Sequence, residues 1–266
     1  MRQRQEQHPA VDRLLDLSGR VALVTGAGRG IGAVIARRLA AAGAAITVHY
    51  RSSAEGAAEV VEAIRRAGGK AGARAADLSR GDQADRLIAG ALEDHGRLDI
   101  LVNNAGIYPV SPLKEMAEDE WDAVVDANLK SVFVCTRAAA RVMAGQADGG
   151  AIVNIASVEG ETPAPLHSHY TAAKAGVLMH TRSAALELGC DGIRVNAVSP
   201  GLIWKEGIEE DWPDGVGRWL AAAPLGRMGL PEEVADACLF LASPAAGWIS
   251  GANLAVDGGI LARAVF

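Results

Sequence analysis

The stretch Val21-Ala22-Leu23-Val24-Thr25-Gly26-Ala27-Gly28-Arg29-Gly30-Ile31-Gly32 decides the reading of this chain. Its opening apolar run shows no alternation, as expected of a strand buried on both faces of a parallel sheet. Four of the next seven residues, 26–32, are glycines, more than a tight packing turn requires, and a helical pattern follows over 31–42. A glycine-rich bend between a strand and a helix lets backbone N–H groups approach a diphosphate at the helix N-terminus. Spacing alone leaves the register open. Gly28-x-Gly30-x-x-Ala33 fits the general dinucleotide fingerprint, and Gly26-x-x-x-Gly30-x-Gly32 fits a variant with wider first spacing.

Outward from this bend, short apolar runs alternate with longer amphipathic segments. Strands are predicted at 21–25, 45–50, 70–76, 100–103, 151–155, 194–198 and 253–256. Helices are predicted at 31–42, 54–67, 82–95, 118–144 (in one piece or two), 170–188 and 231–242. Such alternation implies right-handed βαβ units. The expected fold is a single Rossmann-type, doubly wound α/β domain over 17–266, with a mostly parallel seven-stranded sheet and helices on both faces. A polar extension over 1–16 precedes it. The segment 201–224 reads as irregular and holds Trp204, Trp212 and Trp219; a long loop after a late strand is often a lid over a ligand.

The bulk numbers agree with one large domain. The 266 residues are 50% hydrophobic, 22% charged and 4% aromatic, the profile of a globular chain packed with small aliphatic residues. The net charge of −6 comes with no basic stripe, so nucleic acid is not an expected partner. The three cysteines, Cys135, Cys190 and Cys238, are widely spaced; they read as buried small hydrophobes, with no disulfide framework and no metal site. The first 17 residues lack an apolar signal-peptide core, and no stretch reaches the roughly 18 apolar residues of a membrane span. A cytoplasmic protein without a membrane partner is expected.

The end of the second strand bears on the cofactor. NAD sites place Asp or Glu there to hold the ribose 2′-hydroxyl, and a carboxylate would repel a 2′-phosphate. Here the segment is His49-Tyr50-Arg51-Ser52-Ser53, with no acid, and Arg29 adds a second cation. Arg grips phosphate bidentately, so NADP(H) is favoured over NAD(H). Further on, Tyr170 and Lys174 are four residues apart at the start of a helical pattern and so share a face. A free phenol, with a pKa of about 10, is a poor proton shuttle near neutrality; a neighbouring cation lowers that value and suits it to acid–base catalysis. Ser157 lies just past a strand end, where open α/β sheets present groups to ligands.

These motifs resemble those of the short-chain dehydrogenase/reductase family over essentially the whole chain from Leu17 onward. The family's Thr-Gly-x-x-x-Gly-x-Gly stands as Thr25 to Gly32, which selects the wider register. Its Asn-Asn-Ala-Gly is Asn103-Asn104-Ala105-Gly106, its catalytic Asn is Asn128, and its Ser, Tyr and Lys are Ser157, Tyr170 and Lys174. Asp77-Leu78 matches the adenine-contacting position, and Pro200-Gly201 the Pro-Gly after the sixth strand. The resemblance implies that Tyr170 protonates a carbonyl oxygen while nicotinamide delivers hydride. It implies that Lys174 binds the nicotinamide ribose and depresses the Tyr170 pKa, that Ser157 polarises the substrate oxygen, and that Asn128 holds a relay water. The implied cofactor contacts are Gly26, Arg29, Gly30, Ile31, Gly32, Tyr50, Arg51, Ser52, Asp77, Leu78, Asn104, Ala105, Gly106, Tyr170, Lys174, Pro200, Gly201 and Ile203. One departure stands out: where the family often has a Thr after Pro-Gly, this chain has Leu202-Ile203-Trp204, leaving the backbone of Ile203 to meet the carboxamide. His167 and His169 enter no motif and read as loop residues.

The segments Pro224-Leu225-Gly226-Arg227-Met228-Gly229 and Val256-Asp257-Gly258-Gly259 look most like 3-oxoacyl-carrier-protein reductases. Substrate is read by 108–111, 158–165 and 201–224. The expected activity is hydride transfer between NADP(H) and a ketone or secondary alcohol, a 3-oxoacyl thioester among them. The alternatives are an NAD-dependent sugar, polyol or hydroxysteroid dehydrogenase and a non-catalytic NADP(H) sensor. The family also implies a homotetramer or homodimer, with the apolar tail 260–266 suited to burial between subunits.

Overall fold

The computed structural model describes residues 9–262. Strand β1 (Val21–Val24) leads through the glycine bend into α1 (Gly30–Ala41), then β2 (Ala45–Tyr50), α2 (Ala54–Arg66), β3 (Ala71–Ala75) and α3 (Gly81–His95). After β4 (Ile100–Asn103), the long helical pattern resolves into α4 (Glu118–Val125), a π turn Asp126–Lys130, and α5 (Ser131–Met143). The second half comprises β5 (Gly150–Ile155), α6 (Ser168–Leu188), β6 (Ile193–Pro200), α7 (Ile208–Asp211), α8 (Pro213–Ala222), α9 (Pro231–Ala242) and β7 (Asn253–Val256). Among the described residues these strands form one seven-stranded sheet in the order β3-β2-β1-β4-β5-β6-β7, and every pairing is parallel.

Each central strand feeds two cores, because successive side chains point to opposite faces. Ala22, Val24, Ile100, Val102 and Val153 join α1, α2 and α9 on one face. Leu23, Leu101 and Ile152 join α3, α5 and α6 on the other. The unbroken apolar runs follow directly from this double burial. All strands run the same way, but the order in which they are added reverses between β1 and β4. The connections leaving the C-terminal ends of these two neighbours therefore run to opposite faces and leave the crevice where such sheets bind ligands.

Two expectations change. The segment 201–224 is not irregular throughout, since α7 and α8 lie within it. Pro213 opens α8 at a position where its missing N–H removes no helical hydrogen bond, and Gly- and Pro-rich composition concealed that helix. Cys135 and Cys238 are buried, but Cys190 is exposed, because it falls in the 3-10 turn after α6 rather than on a core face. The polar extension is tied down where it meets the domain: Ala245 N–H donates to the Leu14 carbonyl at 3.1 Å, and Leu17 is buried. Residues 1–8 of that extension, and 263–266 of the apolar tail, lie outside the described residues. No described helix is long and apolar enough to cross a membrane.

Candidate active site

The bend after β1 depends on glycine at two left-handed positions, Gly26 (φ +62°) and Gly30 (φ +56°). A Cβ on Gly26 would lie 2.9 Å from the Ala105 Cα, and one on Gly28 would lie 2.9 Å from the Ser53 carbonyl. A Cβ on Gly30, by contrast, would meet nothing within 4 Å. The first-turn N–H groups of α1, from Gly30, Ile31 and Gly32, have no intrahelical acceptor. Bare backbone over an open helix N-terminus suits a diphosphate, so this cradle fits a dinucleotide.

The bend is held from both sides. Thr25 Oγ1 accepts the N–H groups of Asn104 (2.9 Å) and Ala105 (3.0 Å) and donates to the Val102 carbonyl at 3.3 Å. Asn104 Nδ2 donates to the carbonyls of Thr25 (2.9 Å) and Gly26 (3.2 Å). Those groups of Asn104 and Ala105 are therefore engaged with the bend itself. From the other side, Gly26 N–H donates to His49 Nδ1, so Gly26 serves the site by its shape rather than by a free N–H.

At the rim, Arg29, Arg51 and Ser52 are exposed and Tyr50 is half-buried. A Cβ on Gly56 would collide with the Gly28 carbonyl, so α2 packs directly behind the bend and brings Ser53 and its neighbours to the Arg29 edge. Asp77 Oδ1 accepts from Ser79 Oγ (2.8 Å) and Ser79 N–H (3.1 Å). These bonds, with help from Arg51 and Arg80, hold its carboxyl below the usual range despite partial burial. Leu78 is buried. On the far side of the crevice, Gly201 N–H donates to the Val256 carbonyl, and a Cβ on Gly201 would strike the Trp219 ring. Ile203 forms a parallel bridge with Gly229 through the Leu202 carbonyl and Trp204 N–H. Parallel pairing turns the amide and carbonyl of Ile203 itself away from Gly229.

The proton-handling groups converge at the end of β5. Ser157 is buried, and its Oγ accepts the Glu159 N–H at 3.1 Å. Tyr170 and Lys174 lie one turn apart on α6. Lys174 is 4% exposed; its Nζ donates to the Ile155 carbonyl at 2.8 Å and sits 5.5 Å from the Tyr170 ring centroid. Asn128 occupies the π turn, a distortion frequent at functional sites. Its Nδ2 donates to the carbonyls of Ile107 (2.7 Å) and Val124 (2.9 Å), while its buried Oδ1 has no partner. A Cβ on Gly106 would collide with that Oδ1 and lie 3.8 Å from Lys174 Nζ, so bare Gly106 backbone separates the two polar atoms. An orphaned acceptor beside a buried ammonium fits a nicotinamide-ribose and water site.

The electrostatics differ in one respect from expectation. Burial pushes the Tyr170 phenol above its ordinary value, Ser157 works in the opposite direction, and Glu159 and Tyr108 add to the rise. Lys174 does not reverse this, because burial also disfavours its own charge and lowers its pKa from 10.5 to about 8. Desolvation outweighs the cation's pull in the protein by itself.

Sequence reasoning gave no role to four residues around Tyr170 and the bend. His167 Nδ1 lies 2.9 Å from the Glu159 carboxylate, and its ring packs 5.6 Å from that of Tyr170. Leu166, just before it, adopts a left-handed φ of +68°, a conformation that costs a non-glycine residue energy and gathers at functional sites. His169 is not in a loop: it is fully buried in the first turn of α6, where Nδ1 accepts the Tyr170 N–H. His49 carried a signal, being a polar residue inside an otherwise apolar strand end.

Comparison with known proteins places this geometry. A family model described as "Enoyl-(Acyl carrier protein) reductase" matches residues 26–261. The chain is 44% identical over 246 residues to a 3-oxoacyl-[acyl-carrier-protein] reductase of Synechocystis sp., covering 92% of this chain and 98% of that one. It is 42% identical over 247 residues to 3beta-hydroxysteroid dehydrogenase 1 of Eggerthella lenta, covering 92% and 95%. A gluconate 5-dehydrogenase from Burkholderia cenocepacia, solved with NADP and tartrate, superposes with a TM-score of 0.88 at 36% identity, covering 94% of this chain and 98% of that one. With this agreement along nearly the whole length, the chain belongs to the short-chain dehydrogenase/reductase family of oxidoreductases.

Proposed function

We propose that the protein is an NADP(H)-dependent oxidoreductase acting on a ketone or the corresponding secondary alcohol, with a 3-oxoacyl thioester the first substrate to try. The observation that carries the reading is the convergence of Ser157, Tyr170 and Lys174 at the end of β5, beside an open glycine cradle. When bound, the nicotinamide supplies or accepts the hydride. Tyr170 gives its phenolic proton to the carbonyl oxygen during reduction and takes it back during oxidation. Ser157 Oγ–H orients and polarises that oxygen. Lys174 grips the ribose hydroxyls, and Asn128 Oδ1 holds the water through which the proton is replaced.

Support for NADP(H) comes from the rim: Arg29 and Arg51 are exposed cations, and 49–53 holds no carboxylate. A relative solved with NADP points the same way. A 2′-phosphate bonded to Arg51 contributes about 1.5–3 kcal/mol, the range for hydrogen bonds to charged groups. Arg51→Ala should therefore raise KM for NADPH by roughly 10- to 100-fold and leave KM for NADH unchanged. Initial rates with each cofactor check this. A preference for NADH in the parent enzyme, together with an inert Arg51→Ala, would overturn the cofactor assignment.

For the substrate, Tyr108, Val110 and Leu166 expose apolar surface on the loops flanking Tyr170, and Trp204 and Trp212 do so on the lid. That favours a carbonyl with apolar substituents over a polyol. A panel of acetoacetyl thioester, steroid ketone and sugar lactone, followed by NADPH absorbance, tests the order. The reading includes a cytoplasmic location and a homotetramer or homodimer; the oligomer is supported by exposed Phe133 on α5, Met179 and Leu186 on α6, and a fully exposed Trp248. Light scattering on the purified protein should give two or four copies; a monomer would remove that part.

A further inference from the structure

His49 is 2% exposed, near the end of β2. An imidazole buried there loses hydration, so its hydrogen-bond partners show what holds it in place. Gly26 N–H donates to Nδ1 at 3.0 Å, and Nε2 lies 3.0 Å from the Ala76 carbonyl. The backbone carbonyl of His49 also accepts the Ala27 N–H at 2.8 Å. Because a backbone N–H only donates and a carbonyl only accepts, the two ring contacts select one neutral tautomer, with the proton on Nε2. Burial acts in the same direction by lowering the tendency of His49 to protonate.

The partners matter more than the burial. Gly26 begins the glycine bend, and Ala76 directly precedes Asp77 and Leu78 at the end of β3. Those are two separate walls of the dinucleotide crevice, and His49 spans them with one rigid ring. On the opposite flank Asn104 Nδ2 holds the same bend through the Thr25 and Gly26 carbonyls. The bend is thus pinned between an amide and an imidazole, each with directional bonds.

We propose that His49 is a positioning residue for the dinucleotide: it fixes the glycine bend against the Ala76–Leu78 wall, and cofactor affinity depends on it while proton transfer at Tyr170 does not. This rests on the dinucleotide reading of the cradle, but not on the choice of NADPH over NADH, because the bend holds the diphosphate common to both.

The test uses the full-length enzyme and three forms of residue 49. His49→Leu keeps the site filled but leaves Gly26 N–H and the Ala76 carbonyl unpaired. His49→Gln restores one acceptor and one donor. His49→Leu should weaken NADPH, measured by its fluorescence on binding, at least about tenfold, from two backbone groups left without partners. The kcat at saturating cofactor should stay within about threefold of the parent. His49→Gln should recover most of the lost affinity. A residue needed only for folding would lower Tm and leave the dissociation constant of the folded protein unchanged. That result, or a kcat that falls in step with affinity, would overturn the proposal. If His49→Leu does not fold, His49→Asn, whose shorter amide reaches one partner only, is read against His49→Gln by the same criteria. Each titration is run with NADH as well. A loss shared by both cofactors supports the clamp, whereas a parent that prefers NADH overturns the NADP(H) assignment and leaves the His49 ratio to be read on NADH.

Discussion

Tyr170→Phe is expected to lower turnover by 10²–10⁴-fold, the range for losing a positioned general acid, with the dissociation constant for NADPH changed by less than about threefold. Phenylalanine keeps the ring that packs against His167 at 5.6 Å and Tyr108 at 6.5 Å, so the variant removes the proton and little else. Burial and the Glu159 charge raise the phenol's pKa, so it holds its proton throughout the neutral range. Ketone reduction, which needs that proton, should therefore be flat with pH around neutrality on account of Tyr170. Alcohol oxidation needs the phenolate and should accelerate as pH rises toward 8, above which loss of the Lys174 proton opposes the gain. Steady-state rates in both directions between pH 6 and 10 check the sign. A Tyr170→Phe enzyme with near-parental turnover would remove Tyr170 from the chemistry.

Lys174→Met should show the opposite relation between activity and stability. Without the ammonium proposed to hold the ribose and serve Tyr170, kcat/KM is expected to fall by at least about 10²-fold. Stability at pH 7 should rise, because the charge is buried against its own interest. A lysine whose pKa drops from 10.5 on unfolding conditions to about 8 in the folded protein carries a penalty of roughly 3 kcal/mol when protonated. Losing the bond to the Ile155 carbonyl gives back about 1 kcal/mol of that. The sign follows from proton counting. Between pH 8 and 10.5 the unfolded chain binds the proton that the folded one has released, so parental stability contributed by this group increases through that window. The Tm advantage of Lys174→Met should accordingly be full below pH 8 and shrink toward pH 10. In the parent, activity that requires the ammonium should decline above pH 8. A variant less stable than the parent at pH 7 would show that Lys174 is paired more favourably than its surroundings indicate.

Much of the fold was legible because parallel α/β architecture writes itself locally. β2, β4, β7 and α9 match their predicted limits, since each is a short apolar run or a capped helical pattern closed by polar or glycine residues. Local pattern fell short where tertiary context decided the detail. The π turn at Asp126–Lys130 has no composition of its own; it is the accommodation that lets Asn128 reach the Ile107 and Val124 carbonyls. The helices within 201–224 were hidden because Pro213 and Gly215 read as loop, whereas Pro213 starts α8 and Gly215 gives Trp212 room to pack.

The chain's order of residues determined by itself that a glycine bend would follow a doubly buried strand, that Tyr170 and Lys174 would share a helix face, and that no carboxylate would end β2. Those are properties of neighbours within a few positions, where backbone periodicity dictates direction. Only the tertiary structure decided that burial raises the Tyr170 phenol and lowers the Lys174 ammonium, that Asn128 keeps an unpaired oxygen beside that ammonium, and that His49 spans two walls of the crevice. Desolvation and pairing between segments tens of residues apart depend on which surfaces meet, and no local pattern records that.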